Sequence, residues 1–215
     1  VDKKVDKVFV LTGGAIAFAV DSFSNRKDIS YICVQHEQAG AMMADAYSRV
    51  KNNFAATMST SGPGATNLIT GIACSYFDSI PNIHITGQVN LKELRGGMPG
   101  TSNSRQIGFQ ETDIVSISQP ITKKSVQLKK AEDIYNVLND LYDCALSGRK
   151  GPVLLDLPMC LQREGVVLNK KIVNKQKHQK AKLIDINKIF NIIKDSARPV
   201  ILTGGGVRYS NSVKE

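Results

Sequence analysis

The stretch FAATMSTSGPGATNLITGIACSYFDSIPNIHITGQV, Phe54 to Val89, decides the fold. It opens with an apolar and β-branched run, FAATMST, that reads as a strand. The turn SGPGATN follows, and a pattern of small and apolar residues from about Gly64 to Phe77 reads as a helix. NIHITGQV, again rich in β-branched residues, is the next strand. Strand, turn, helix and strand in this order form one unit of an α/β protein.

The same alternation extends both ways. VFVLTG (Val8–Gly13) reads as a buried strand running into Gly13-Gly14, followed by a helix through Phe18 and Phe23. ISYICV is a second strand, and His36 to Val50 is helical, with many small residues. After Val89 the periodicity stops, and NLKELRGGMPGTSNSRQIGFQ reads as a long loop, a feature more often functional than idle. A short helix near Glu111–Ser118, a strand KKSVQL and an amphipathic helix from Lys130 to Ser147 follow. The helix repeats Ile134, Val137, Leu138, Leu141 and Ala145 at helical spacing. GPVLLDLP is another buried strand. Beyond it, LIDINKIFNIIKDS reads as a helix and RPVILTGGG as a strand entering a glycine turn. The expected fold class is α/β, a mainly parallel central sheet with helices on both faces, plus the start of a second α/β domain. The expected limits are 1–162 for the first domain, 163–182 for a basic linker, and 183–215 for the second, cut short at Glu215.

Bulk composition narrows the class. At 215 residues, 42% of them hydrophobic, the chain suits one domain and part of another, and no apolar run is long enough to cross a bilayer. The N-terminus VDKKVDKVFV lacks a signal-peptide pattern, so a cytoplasmic protein is expected. Cys33, Cys74, Cys144 and Cys160 stand singly in apolar surroundings and read as small buried hydrophobes. The net charge of +9 is concentrated in Arg163–Lys182, which has no interleaved aromatics, so no nucleic-acid or membrane partner is expected.

Ligands of open α/β sheets bind beyond the carboxyl ends of the strands, where Gly13-Gly14, His36-Glu37 and Ser61–Gly64 fall. Glu37 at a helix start has a bland explanation, an anion favoured by the helix dipole. Its functional reading is a carboxylate in an apolar, water-poor pocket where its proton affinity is tunable. Ala39, Gly40, Ala41, Ala44 and Ala46 behind it allow close approach of a neighbouring helix or another subunit. SGPGATN offers backbone amides like a phosphate cradle but lacks the Lys and spacing of GxxxxGK[ST]. TGGG at Thr203–Gly206 is a weak dinucleotide signal, and the scattered His36, His84 and His178 make no metal set.

Taken in order, VLTGGA, QHEQAGAMMADAYSRV, MSTSGPGATNLITGI, GFQETDIVSISQPITK and GPVLLDLP resemble the N-terminal pyrimidine-binding domain of thiamine-diphosphate-dependent enzymes, nearest to acetolactate synthases and their relatives. The resemblance covers about residues 5–160, and residues 183–215 are similar to the opening of the family's central domain. It implies that Glu37 bonds N1′ of the cofactor's aminopyrimidine. Sharing that proton favours the 4′-imino tautomer, whose nitrogen takes the proton from thiazolium C2. That carbon then attacks a 2-oxo acid, and the ring accepts the electrons as carbon dioxide leaves. Pro63 and Asn67, with Gly62 and Gly64 of the same turn, match positions around the pyrimidine. Gly14 matches a backbone position facing the reacting carbon, and Gln110 a glutamine near the substrate.

The resemblance also implies what lies elsewhere. Mg²⁺ and the diphosphate belong to a GDG…N motif of a C-terminal domain, which this sequence lacks, and no metal ligand is expected here. The site would lie at a dimer interface, in a homodimer or homotetramer, so the chain alone is expected to be inactive. FAD is retained by some synthases and stays open. The family's synthases commonly show GQVP and GTDAFQE where this chain has GQVN and SRQIGFQE, so the 2-oxo acid stays open too. Glu37 argues against the glyoxylate carboligase type. A decarboxylase, a specialised-pathway enzyme of the family, and a non-catalytic binding module remain as alternatives.

Overall fold

In the computed structural model of the chain, residues 5–24, 26–52, 54–167, 185–210 and 212 are described. The chain divides into two compact units, Val1–Gln176 and Lys177–Glu215. In the first unit the elements are β1 (Lys7–Leu11), α1 (Ala17–Asp21), β2 (Ser30–Cys33), α2 (Glu37–Lys51), β3 (Ala55–Ser59), α3 (Pro63–Thr66), α4 (Ile69–Phe77) and β4 (Asn82–Gln88). They continue with α5 (Ile114–Ser118), β5 (Lys124–Gln127), α6 (Ile134–Leu146), β6 (Val153–Pro158) and α7 (Met159–Gln162). The sheet runs β2-β1-β3-β4-β6-β5, and every pairing is parallel. This is the doubly covered α/β architecture that the alternation predicts.

Strand residues alternate between the two faces. Val8, Val10, Ala56, Met58, Ile83, Val153 and Leu155 pack on one face with Leu141 and Ala145 of α6. On the other face, Phe9, Ala55 and Leu154 meet Ala41 and Ala44 of α2, with Ile72 of α4 and Ile114 of α5. That second face also carries a buried polar seam. The Thr57 hydroxyl donates to His84 Nδ1 (2.8 Å), and His84 Nε2 donates to Asn82 Oδ1 (3.0 Å). Asn82 Nδ2 donates to Ser75 Oγ (2.8 Å), which donates to Asp45 Oδ2 (2.8 Å). Arg49 closes the chain by pairing with Asp45 at 2.5 Å and Asp78 at 2.6 Å. The run has one consistent direction, which fixes His84 as the neutral Nε2–H tautomer.

Burial pushes the His84 imidazole down to about 3 from its ordinary 6.5. The unfolded chain therefore binds a proton below about pH 6.5 that the folded chain refuses, so this histidine removes stability as pH falls from 6.5 toward 3. At pH 5 the loss is about 2 kcal/mol. Buried Asp156, pushed up to about 6 from 3.8, acts oppositely, destabilising above that range and less so as pH falls. Comparing wild type with His84→Gln isolates the histidine. We expect the thermal midpoint of wild type to fall more steeply between pH 7.5 and 5 than that of the variant.

Several expected elements differ in detail. The first helix ends at Asp21, short of Phe23, where the Ser22 hydroxyl bonds Ala19 O (2.5 Å) and competes with the helix ladder. The helix expected from Gly64 to Phe77 is two pieces, because the ladder tightens to Leu68 N–Ala65 O beside Asn67. The helix near Glu111 starts at Ile114, where Asp113 caps it by accepting from Ser116 N (3.1 Å). The helix from Lys130 opens as a 3₁₀ turn, Ala131–Asp133, before α6. The cysteines are not buried: Cys33 on the edge strand β2 and Cys74 on the outer side of α4 are exposed, and Cys144 and Cys160 are half-buried.

The second unit contains α8 (Ile186–Asp195), capped by Asp185 on Lys188 N (3.2 Å), and α9 (Gly205–Tyr209). The strand expected in RPVILTGGG does not form. A strand needs a ladder partner, none is described in this unit, and Val200, Ile201 and Leu202 are exposed. Most of the basic tract, 168–182, lies outside the described residues. No described helix is long and apolar enough to cross a membrane.

Candidate active site

The strand order reverses between β1 and β3, since β1 leads to β2 on one side and β3 to β4 on the other. The crevice outside the carboxyl ends of these strands is where such sheets bind ligands. The loops after β1, β2 and β3 all enter it, carrying Gly14, Glu37 and the Gly62–Gly64 turn.

Glu37 is the first residue of α2 and is 7% exposed. Capping falls to His36, whose Nδ1 accepts from Gln38 N (3.1 Å), so the glutamate is not spent as the cap. Asn67 Nδ2 donates to Glu37 Oε2 (2.9 Å). Among the described residues Oε1 takes no hydrogen bond, and a Cβ on Gly64 would lie 3.2 Å from it.

The turn after β3 is shaped by what its glycines touch. Gly62 has φ 61, and a Cβ there would meet Gln110 Cβ at 2.6 Å. A Cβ on Gly64 would meet Thr60 Cγ2 at 2.8 Å. The Cβ side of both glycines is thus filled by Gln110, Thr60 and Glu37, so only glycine fits at these two points of the turn. Pro63 is exposed at the first position of α3, where its missing N–H costs nothing.

Gly14 and Gln110 meet in a cleft of about 440 Å³, together with Thr60, Val89 and Phe109. The predicted residues therefore form two neighbouring groups, Glu37–Gly64–Asn67 and Gly14–Gly62–Gln110. Thr60 stands between them. Its Oγ1 accepts from Ala15 N (3.3 Å), and its Cβ would touch a Cβ on Gly13 at 2.6 Å. Sequence reasoning passed over Thr60, which stands between the end of β3 and the glycine turn.

It also missed two carboxylates. Asp156 of β6, 1% exposed, accepts from Thr86 Oγ1 (2.8 Å), Gln88 Nε2 (3.0 Å) and Gln127 Nε2 (2.9 Å). Burial is the main cause of its raised pKa, and these bonds oppose it. Glu111 follows Gln110 and accepts from two backbone amides of the long loop, Arg95 N and Ile107 N. The small-residue helix divides in two. Gly40, Ala41 and Ala44 are buried within this chain, where Gly71 of α4 leaves room for Ala41. Ala39, Met42, Met43 and Ala46 are exposed on the opposite side.

Comparison with known proteins matches residues 1–117 to the family of thiamine pyrophosphate enzymes, through their N-terminal TPP binding domain. The chain is 38% identical over its whole length to the acetolactate synthase large subunit of Buchnera aphidicola subsp. Acyrthosiphon pisum, covering 37% of that protein. It is 35% identical to the Lactococcus lactis large subunit over 97% of its length, covering 35% of the relative. It is 42% identical to the isozyme 3 large subunit of Escherichia coli over 74% of its length, covering 26% of that protein. The chain thus spans about a third of the length of the curated relatives it matches. With a parallel sheet, a glutamate at the switch point and a match over more than half of its residues, the chain belongs to the thiamine pyrophosphate enzymes, as their N-terminal cofactor-binding domain.

Proposed function

We propose that this chain is the pyrimidine-binding part of an acetolactate-synthase-like enzyme that decarboxylates a 2-oxo acid and joins the remaining fragment to a second carbonyl compound. The observation that carries this reading is the Glu37 carboxylate, buried at the switch point with Asn67 on one oxygen and, among the described residues, no hydrogen bond on the other. The donor set fits an aminopyrimidine: a buried carboxylate that can hold or release a proton, aimed by Asn67 and with no hydrogen bond on Oε1 among the described residues. When bound, thiamine diphosphate supplies the electron sink for decarboxylation.

In this reading Glu37 holds the proton at the pyrimidine N1′, and Asn67 keeps the carboxylate aimed. Pro63, Gly62 and Gly64 shape the pyrimidine side. Gly14 and Gln110 line the place of the 2-oxo acid. Mg²⁺ and the diphosphate belong to a C-terminal domain beyond this chain, with FAD open for the full-length protein. The exposed Ala39, Met42, Met43 and Ala46 side of α2 meets the partner subunit of a homodimer or homotetramer. Residues 1–162 form the cofactor domain, 163–182 a linker, and 183–215 the beginning of the central domain, in a cytoplasmic protein.

The test is carbon dioxide release by the full-length protein from a panel of 2-oxo acids, with thiamine diphosphate and Mg²⁺ added or withheld. Release is expected only with both present, with a carbon–carbon-bonded product. Release with free aldehyde as the product would favour a decarboxylase. No release from any acid would contradict the proposal.

A further inference from the structure

Gln110 has φ 58, a left-handed conformation disfavoured for a residue with a Cβ, yet it stands at the wall of the cleft. A conformation of this kind persists only where its surroundings over-determine it, and here three contacts do so. Gly62 leaves room for the Gln110 side chain. On the C-terminal side, Gln88 Nε2 donates to Thr112 O (2.8 Å) and to Asp156 Oδ2 (3.0 Å), and both Gln88 and Asp156 are 1% exposed. Next to Gln110, Glu111 ties the long loop at two places, Oε1 accepting from Arg95 N (2.6 Å) and Oε2 from Ile107 N (3.0 Å). A single carboxylate thereby joins the start of the loop to its end.

Resting on the reading of the cleft as the substrate pocket, we propose that Glu111 and the Asp156–Gln88 pair are positioning residues that hold Gln110 and its loop in place and so set affinity for the 2-oxo acid. The chemistry of the two carboxylates differs. Glu111 faces two N–H donors, one on each oxygen, so glutamine would turn an NH₂ group toward one of them. Asp156 faces two amide donors on one oxygen and a hydroxyl on the other. The Thr86 hydroxyl can also accept, so asparagine can keep all three bonds.

The experiment uses the full-length protein with Glu111→Gln, Glu111→Ala, Asp156→Asn, Asp156→Ala and Gln110→Ala. It reads three quantities: trypsin cleavage after Arg95 and Arg105, KM and kcat for the panel acid with the highest turnover, and the Kd of thiamine diphosphate. Both Glu111 variants are expected to be cleaved faster and to raise KM roughly ten-fold, as one unmet hydrogen bond would, with cofactor Kd nearly unchanged. Asp156→Asn should behave as wild type, and Asp156→Ala like the Glu111 variants. Wild-type cleavage rates in both Glu111 variants would overturn the clamp, whatever Gln110 does. An unchanged KM in Gln110→Ala would sink the substrate-pocket reading and, with it, the affinity part of the proposal.

Discussion

On the proposed reading, Glu37→Gln is expected to lower kcat of the full-length protein by a factor on the order of 10²–10⁴, the usual worth of a positioned acid or base. The substitution is close to isosteric, and the glutamine oxygen can still accept from Asn67, so the fold and the cleft should survive. What disappears is the exchangeable proton, because the second carboxylate oxygen becomes an NH₂ group. Thermal stability is therefore expected to stay within a few degrees of wild type while turnover collapses. Glu37→Asp keeps the proton but sits one methylene short, and should recover part of the rate. Steady-state rates at saturating cofactor and Mg²⁺ separate these outcomes.

Gly87→Ala should be the most damaging of the small structural changes. Gly87 lies in β4, and a Cβ there would press into Ala15 O and lie 2.8 Å from Ile16 N. Both atoms belong to backbone, so no rotamer change relieves the clash, and the turn carrying Gly14 must move. Overpacking of this kind costs about 3 kcal/mol at the upper end of the usual range. Because the displaced turn is a wall of the cleft, activity should fall as well. Gly165→Ala, with open space at its Cβ, is the control and should change neither quantity. Denaturation midpoints of the two variants against wild type provide the comparison.

The sheet was legible because the strands from Phe54 to Val89 and their neighbours are short, apolar and separated by helical patterns. Glu37 could be picked out as a candidate from its place between a strand and a small-residue helix, although the helix dipole alone also favours an anion there, and its bond to Asn67 could not be read from the sequence. The polar seam was in principle readable as well. NIHITGQ places Asn82, His84, Thr86 and Gln88 at alternate positions, which puts them on one face of β4. Their partners were not readable, since Asp156 and Ser75 come together only through the sheet and α4. Glu111 was hidden for the same reason: a loop without periodicity gives no hint of which amides its carboxylates meet. The exposure of Cys33 and Cys74 follows from an edge strand and an outward helix face, neither fixed by the local apolar context. RPVILTGGG failed as a strand because apolar and β-branched residues make a strand only beside another strand.

The central claim is that the Glu37 carboxylate activates the cofactor through its pyrimidine. The direct measurement is the rate at which the C2 proton of thiamine diphosphate, bound to the full-length protein with Mg²⁺, exchanges with deuterium in the absence of any 2-oxo acid. The account predicts fast exchange on wild type and exchange slowed on the order of 10²-fold or more on Glu37→Gln. Equal exchange rates on the two proteins, at equal cofactor occupancy, would contradict it.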